Sequence, residues 1–382
     1  MPHFDKAEYA GRIARATAAL QEAELDAILI FSPESQYWLT GYDTFGFAMF
    51  QCLVLAADGR LVLLTRMPDL RQARQTSILS DDEIRIWAEV EGANPAEELN
   101  DVLAGLLLNR SRLGVEMDTV GLTAQNWTRL HKVFGPWLSD ASDLIPGLRR
   151  TKSPAEIGMI RKAARLSDDA LDAALGATGP GAFEGDILAE MQGAVFRGGG
   201  DYAGNEFIIG SGEGALLCRY FSGRRTLDKT DQLTLEWSGA YARYHAAMMR
   251  TLIVGKANDA QKKMHAAAVE ALEACEAAIR PGAPMGNVFD AHAKVFDAHG
   301  LSHARLQACG YGMGIAYNPI WVEFPMFYQG NPTLMAPGQA YFLHMILMDS
   351  AAGLAMCWGH SVLVTEDGVE RLSKAPLDLV EL

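Results

Sequence analysis

No stretch of about 18 uncharged apolar residues occurs in this 382-residue chain, which excludes a membrane-spanning helix from the reading. The N-terminus, Met1-Pro-His-Phe-Asp-Lys6, also lacks the basic-then-apolar order of a secretion signal, so a cytoplasmic protein is expected. Cysteine is scarce: the five residues at 52, 218, 275, 309 and 357 are odd in number and too widely spaced for a CxxC metal motif. They read as reduced packing thiols. Basic residues are outnumbered 33 to 47, and the resulting charge of −14 excludes nucleic acid and anionic membrane as partners, since both need a basic surface. That balance says nothing about the sign of an active site.

The length allows two domains and a large core. Apolar residues at helical spacing from Glu8 to Ala23 precede a buried strand, Asp26-Ala-Ile-Leu-Ile-Phe31, and a βα alternation follows. Asp58-Gly59, between Cys52–Ala57 and Arg60–Thr65, is a strong hairpin signal. Further strands at Glu83–Trp87 and Arg112–Glu116 alternate with helices near Pro95–Leu108 and Thr123–Phe134, giving an α/β domain closed by Leu144-Ile-Pro-Gly147. A capping box then opens a long helix at once, with Ser153 at the N-cap, Pro154 at N1 and Glu156 at N3. The domains are therefore 1–148 and 149–382. In the second, helices near 153–177 and 184–196, separated by Gly179-Pro-Gly181, are echoed by helices near 258–279 and 286–298, separated by Pro281-Gly282. Apolar segments follow each pair. This recurrence predicts a duplicated α+β half, one curved sheet with helices outside, and a cleft at the seam.

Chemistry gathers between Leu233 and Gly255, where charged residues interrupt two strand-like runs, Gln232–Leu235 and Thr251–Val254, with Ser238-Gly239 as the turn or bulge signal. Glu236 closes the first run, and His245 and Arg250 lie on the return path. A buried carboxylate must be paired, metal-bound or catalytic. A Glu236–Arg250 ion pair and a catalytic Glu236 are both open at this point.

Arg150-Thr-Lys-Ser-Pro-Ala-Glu-Ile157, Gly210-Ser-Gly-Glu-Gly214, Tyr244–Thr251, Val362–Gly368 and, in the first domain, Tyr37-Trp-Leu-Thr-Gly-Tyr-Asp43 together resemble the creatinase/prolidase superfamily. The resemblance implies an α+β pita-bread catalytic domain behind an α/β creatinase-type N-terminal domain. Peptidases of the superfamily bind two metal ions through two Asp, one His and two Glu. At those positions this chain has Glu236, Ala247, Tyr311, His344 and Gly359, so the resemblance argues for the fold and against a dinuclear centre. No metal and no cofactor is expected. Gly312–Glu323 and Tyr241-Ala-Arg-Tyr-His245 look like segments of the ectoine hydrolases, a branch that the resemblance groups with creatinase as metal-free. Arg219 departs from that template, standing where those relatives usually carry a substrate-handling His.

The resemblance thus implies a metal-independent hydrolase of a non-peptide C–N bond in a small zwitterionic compound of the ectoine or creatine type. Glu236 would be nucleophile or base, His344 or His245 would move protons, and Glu323 would be a cleft carboxylate. Arg219, Tyr311 and Trp321 would bind substrate. In creatinase-like dimers a loop of the N-terminal domain reaches the partner's site, so Tyr42, Phe45 and Phe47 would wall the pocket of a homodimer. The alternatives are a lyase on an onium substrate, a non-catalytic binding or dimerisation protein, and a Xaa-Pro peptidase.

Overall fold

The computed structural model describes residues 1–219 and 223–382. Contacts divide the chain into two compact units, Met1–Arg149 and Arg150–Leu382. The first contains α1 (Lys6–Glu22), β1 (Ala27–Ile30), α2 (Pro33–Thr40), β2 (Cys52–Ala56), β3 (Leu61–Arg66), α3 (Leu70–Thr76), β4 (Ile84–Trp87), α4 (Pro95–Gly105), β5 (Leu113–Val115), α5 (Ala124–Phe134), β6 (Leu138–Asp140) and α6 (Leu144–Arg149). Its strands form one mixed sheet in the order β4-β3-β2-β1-β5-β6. Gly59 turns the β2–β3 hairpin at φ 92°, a conformation that costs glycine little. Leu29, Val54, Leu64 and Val115 of the sheet pack with Leu99 and Leu103 of α4 and Leu130 of α5. Leu144–Gly147, the segment that closes this domain, begins α6. Pro146 falls in that helix's first turn, where no intrahelical N–H bond is lost.

The second unit opens with α7 (Pro154–Ala177), capped as expected by reciprocal Ser153 and Glu156 hydrogen bonds. It continues with α8 (Glu184–Arg197), β7 (Ile208–Ser211), β8 (Asp231–Tyr241), β9 (Tyr244–Val254), α9 (Asp259–Ala278), α10 (Gly286–Ala298), β10 (Ala308–Gly312), β11 (Glu323–Tyr328), β12 (Ala340–Asp349), β13 (Leu354–Val364), β14 (Val369–Arg371) and β15 (Val380–Glu381). Seven strands run in the order β11-β10-β12-β13-β9-β8-β7, with β14 added on β13 and β15 on β9. Both helix pairs cover the same face. Leu233, Leu235, Trp237, Met248 and Leu252 pack with α7 and α8, and Leu343, Met345, Leu347, Met356 and Trp358 pack with α9 and α10. Because side chains alternate along a strand, the residues between these apolar positions point to the face opposite the helices.

The β8–β9 hairpin is longer than its apolar runs suggest. Ser238-Gly239 lies inside β8, and the turn falls at Ala242-Arg243, both with positive φ (49° and 65°), the geometry of a two-residue turn that matches strand twist. The glycine at 239 answers a packing need instead: a Cβ there would stand 2.1 Å from the Ala163 carbonyl oxygen of α7. That close approach lets Ser167 of α7 accept from the Gly239 N–H at 2.6 Å and donate to the Ala246 carbonyl at 2.5 Å. The long helix is thereby docked across the hairpin that carries Glu236.

Candidate active site

Backbone register lines up the residues of interest. Glu236 pairs with Met249, Met249 with Gly359 and Gly359 with His344, one row crossing β8, β9, β13 and β12 on the face away from the helices. Ala247, two residues before Met249, shares that face. Tyr311 of β10 reaches the same row through its side chain: its hydroxyl donates to Glu236 Oε1 at 3.3 Å, and its ring centroid lies 5.5 Å from that of His344. At about 4.8 Å per strand, Glu236 and His344 stand roughly 14 Å apart along the sheet, so Tyr311 bridges two groups whose backbones are distant.

Glu236 is buried at 9% exposure. Burial raises its carboxyl pKa to about 7, while the Tyr311 hydrogen bond and the positive charge of Arg219 pull the other way. Tyr311 is held in turn by Trp321, whose indole N–H donates to its hydroxyl oxygen at 2.8 Å. The Trp321 backbone N–H donates to Asn205 Oδ1 at 3.4 Å. A chain of donors therefore runs from the Trp321 indole through the Tyr311 hydroxyl to the carboxylate, with Asn205 holding the Trp321 backbone. Trp321 is 2% exposed, which makes it a support for Tyr311 more than a surface for ligand. Arg219 is exposed, and Tyr220, the last residue of its motif, lies outside the described residues.

The remaining candidates separate clearly. His344 is buried, its Nδ1 has no partner among the described residues, and burial lowers its pKa to about 4, so it is neutral at pH 7. His245 is committed to the backbone: Nε2 accepts from the Gly204 N–H at 2.8 Å and Nδ1 donates to the Arg243 carbonyl at 2.9 Å. With both nitrogens engaged by backbone groups it fastens the hairpin tip, which leaves neither nitrogen for the expected proton transfer. Glu323, expected as a cleft carboxylate, forms a buried ion pair with Lys152 at the start of the second unit. Arg250 does not pair with Glu236. It stands opposite Leu235, and the strand period sends it to the helix face, where it donates to the Met249 and Gly359 carbonyls at 2.8 and 2.7 Å and stacks 5.0 Å from Trp358. A two-residue turn at 238–239 or at 242–243 alike places residues an even number apart on opposite sides, so strand parity alone argues against this pair. In the first unit, Tyr42 is 2% exposed and hydrogen-bonded to Gln51, so it is core of its own domain. Phe47 is half-buried and Phe45 is 85% exposed.

The five positions that the resemblance aligns with the peptidases' metal ligands share one face, and of them only Glu236 and His344 carry an ordinary ligand side chain. Ala247 and Gly359 offer no side-chain donor, and a Cβ at 359 would lie 2.4 Å from the Leu343 carbonyl oxygen, leaving no room for a longer side chain without movement of the strand. The Tyr311 hydroxyl is already engaged by Trp321 and Glu236. Among the described residues no group of three or more His, Cys, Asp or Glu is placed to hold one ion. The residues present do not fit a two-metal centre.

Glu236 binds its proton more tightly folded (about 7) than its ordinary value of 4.5, so its contribution favours the fold at low pH and is lost as pH rises through 7. Glu236→Gln is therefore expected to raise stability above pH 8, by at most roughly 3 kcal/mol, with the gain shrinking toward pH 5. Thermal melts across that range check it. A variant less stable than the native chain at every pH would instead mark Glu236 as half of a structural pair.

Residues 158–366 match metallopeptidase family M24, and residues 12–151 match the creatinase/prolidase N-terminal domain. The chain is 27% identical to the ectoine hydrolase of Halomonas elongata, with 98% of each covered. It is 26% identical to a probable dipeptidase PepE of Mycobacterium tuberculosis, over 99% of this chain and 97% of that one. The crystal structure of dipeptidase PepE from Mycobacterium ulcerans superposes with a TM-score of 0.86 at 25% identity, covering 99% of both chains. The α+β pita-bread architecture expected from the sequence is the one these structures share. With more than half its length matched, the chain belongs to metallopeptidase family M24.

Proposed function

We propose that this M24 hydrolase acts without metal on a non-peptide C–N bond of a small zwitterionic compound, of the ectoine or creatine type, with Glu236 as base or nucleophile. The observation that carries the reading is the make-up of the sheet's inner row: a single carboxylate, poised near neutrality, where a dinuclear enzyme needs a cage of them. The similarity to the ectoine hydrolase of Halomonas elongata supports the non-peptide branch.

In this mechanism Tyr311 holds Oε1 of Glu236 and leaves Oε2 as the acceptor. The ionised carboxylate takes a proton from water as the water oxygen bonds to an amidine-like carbon. The C–N bond then breaks, and the departing nitrogen takes up the proton that Glu236 received from water, relayed through His344, which is neutral before and after the transfer and leaves Glu236 ionised again. Arg219 meets the ligand's carboxylate through its fork of donors. Trp321 acts through Tyr311, and Glu323, being paired with Lys152, is left out of the reacting set.

Nuclear magnetic resonance of the protein with compatible solutes, guanidino compounds and Xaa-Pro dipeptides tests the reading. The expected result is consumption of an amidine or guanidino compound, rising from acid toward neutral pH with an apparent pKa near 7. Glu236→Gln should lower that rate by a factor of order 10² or more. Cleavage of Xaa-Pro dipeptides alone would replace this reading with a peptidase.

The proposal includes a homodimer. Its support is apolar exposure on two tied segments of the first unit: Phe45 (85%) and Met49 (50%) flank a short turn that Thr44 links to Asp69, next to Met67 (63%). Sedimentation should give a dimer that Phe45→Ser weakens, with turnover falling alongside. A fully active native monomer would contradict it.

A further inference from the structure

Outside the inner row, a cavity of about 260 Å³ opens between the end of α8 and the loop 201–207. Its walls include Phe196 and Tyr202, whose rings meet at 67° with centroids 4.8 Å apart, forming two steeply angled aromatic surfaces. Tyr202 is 72% exposed and Phe196 39%, large aromatic area that the chain itself leaves uncovered. Asp201 and Glu206 also line the cavity, and among the described residues no basic side chain does. The loop is not slack: Gly204 donates to His245, Asn205 accepts from Trp321, and Asp201 accepts from the Arg243 N–H. Two ring faces at an angle, two carboxylates and a held backbone make an environment that attracts a desolvated organic cation and repels an anion.

We propose that this cavity is a second small-molecule site, taking a tertiary or quaternary ammonium group against the exposed ring of Tyr202, in the angle that this ring makes with Phe196, with Asp201 and Glu206 balancing its charge. The site is separate from Glu236 and does not depend on the reaction assigned there. Both aromatic residues lie at the surface, so truncating Tyr202 leaves the fold intact.

The probe is tetramethylammonium chloride, followed by saturation-transfer nuclear magnetic resonance on the full chain, with sodium chloride at matched ionic strength as control. Saturable binding is expected, weakened about fivefold or more by Tyr202→Ala. Glu206→Gln should weaken it too, while Glu236→Gln should leave it unchanged. A response that follows ionic strength alone overturns the proposal. So does binding that survives Tyr202→Ala but disappears with Glu236→Gln, which would place the cation on the inner row.

Discussion

Two backbone register pairs, Gly359 with Met249 and His360 with Met248, join the two halves of the catalytic sheet, and the geometry of the inner row depends on them. Side chains reinforce that short seam. Arg250 reaches from β9 to the Gly359 carbonyl, Ser361 donates to the Ala247 carbonyl at 3.0 Å, and Thr251 accepts from the Cys357 N–H at 2.8 Å. Glu236 belongs to one half and His344 to the other, so any slip of one residue along the seam would turn one of them toward the helices. Burial lowers the pKa of Arg250 to about 10, and one of its terminal nitrogens has no partner among the described residues. A guanidinium kept under those conditions is a costly clamp, which fits a position where register decides what the face presents.

On that face, one environment produces opposite effects in its two titratable groups. Burial raises Glu236 to about 7 and lowers His344 to about 4, so near neutral pH the carboxylate is balanced between its forms while the imidazole is uncharged. Tyr311 touches both, and burial with the neighbouring Glu236 charge pushes its own pKa well up, so it stays a donor. A two-metal site would need more anionic oxygen than this row contains. What it contains instead is one carboxylate whose pKa the apolar setting has raised toward neutrality.

The architecture was legible because it rests on local signals: the Ser153–Glu156 capping box, the paired helices around Pro-Gly, and apolar runs of strand length. Glu236 stood out for the same reason, as a carboxylate set in a buried run. Facing was harder. Ser238-Gly239 carries a turn signal, yet Gly239 is there to admit α7, and the hairpin closes four residues later at Ala242-Arg243. His245 could not be distinguished from a proton carrier, since its partners are backbone groups that leave no trace in sequence. Lys152 and Glu323 lie 171 residues apart, beyond the reach of any spacing argument. Tyr311 and Trp321 were placed at the site by resemblance, but their order of action, indole to phenol to carboxylate, emerges only from coordinates.

The central claim is that Glu236 works on this face without metal, and metal content tests it most directly. Elemental analysis of the purified, active protein should find well below one equivalent of Mn, Co, Fe or Zn per chain, and a strong chelator should leave melting temperature and turnover unchanged. Two tightly held equivalents per chain, with turnover lost on chelation and restored on re-addition, would contradict the account.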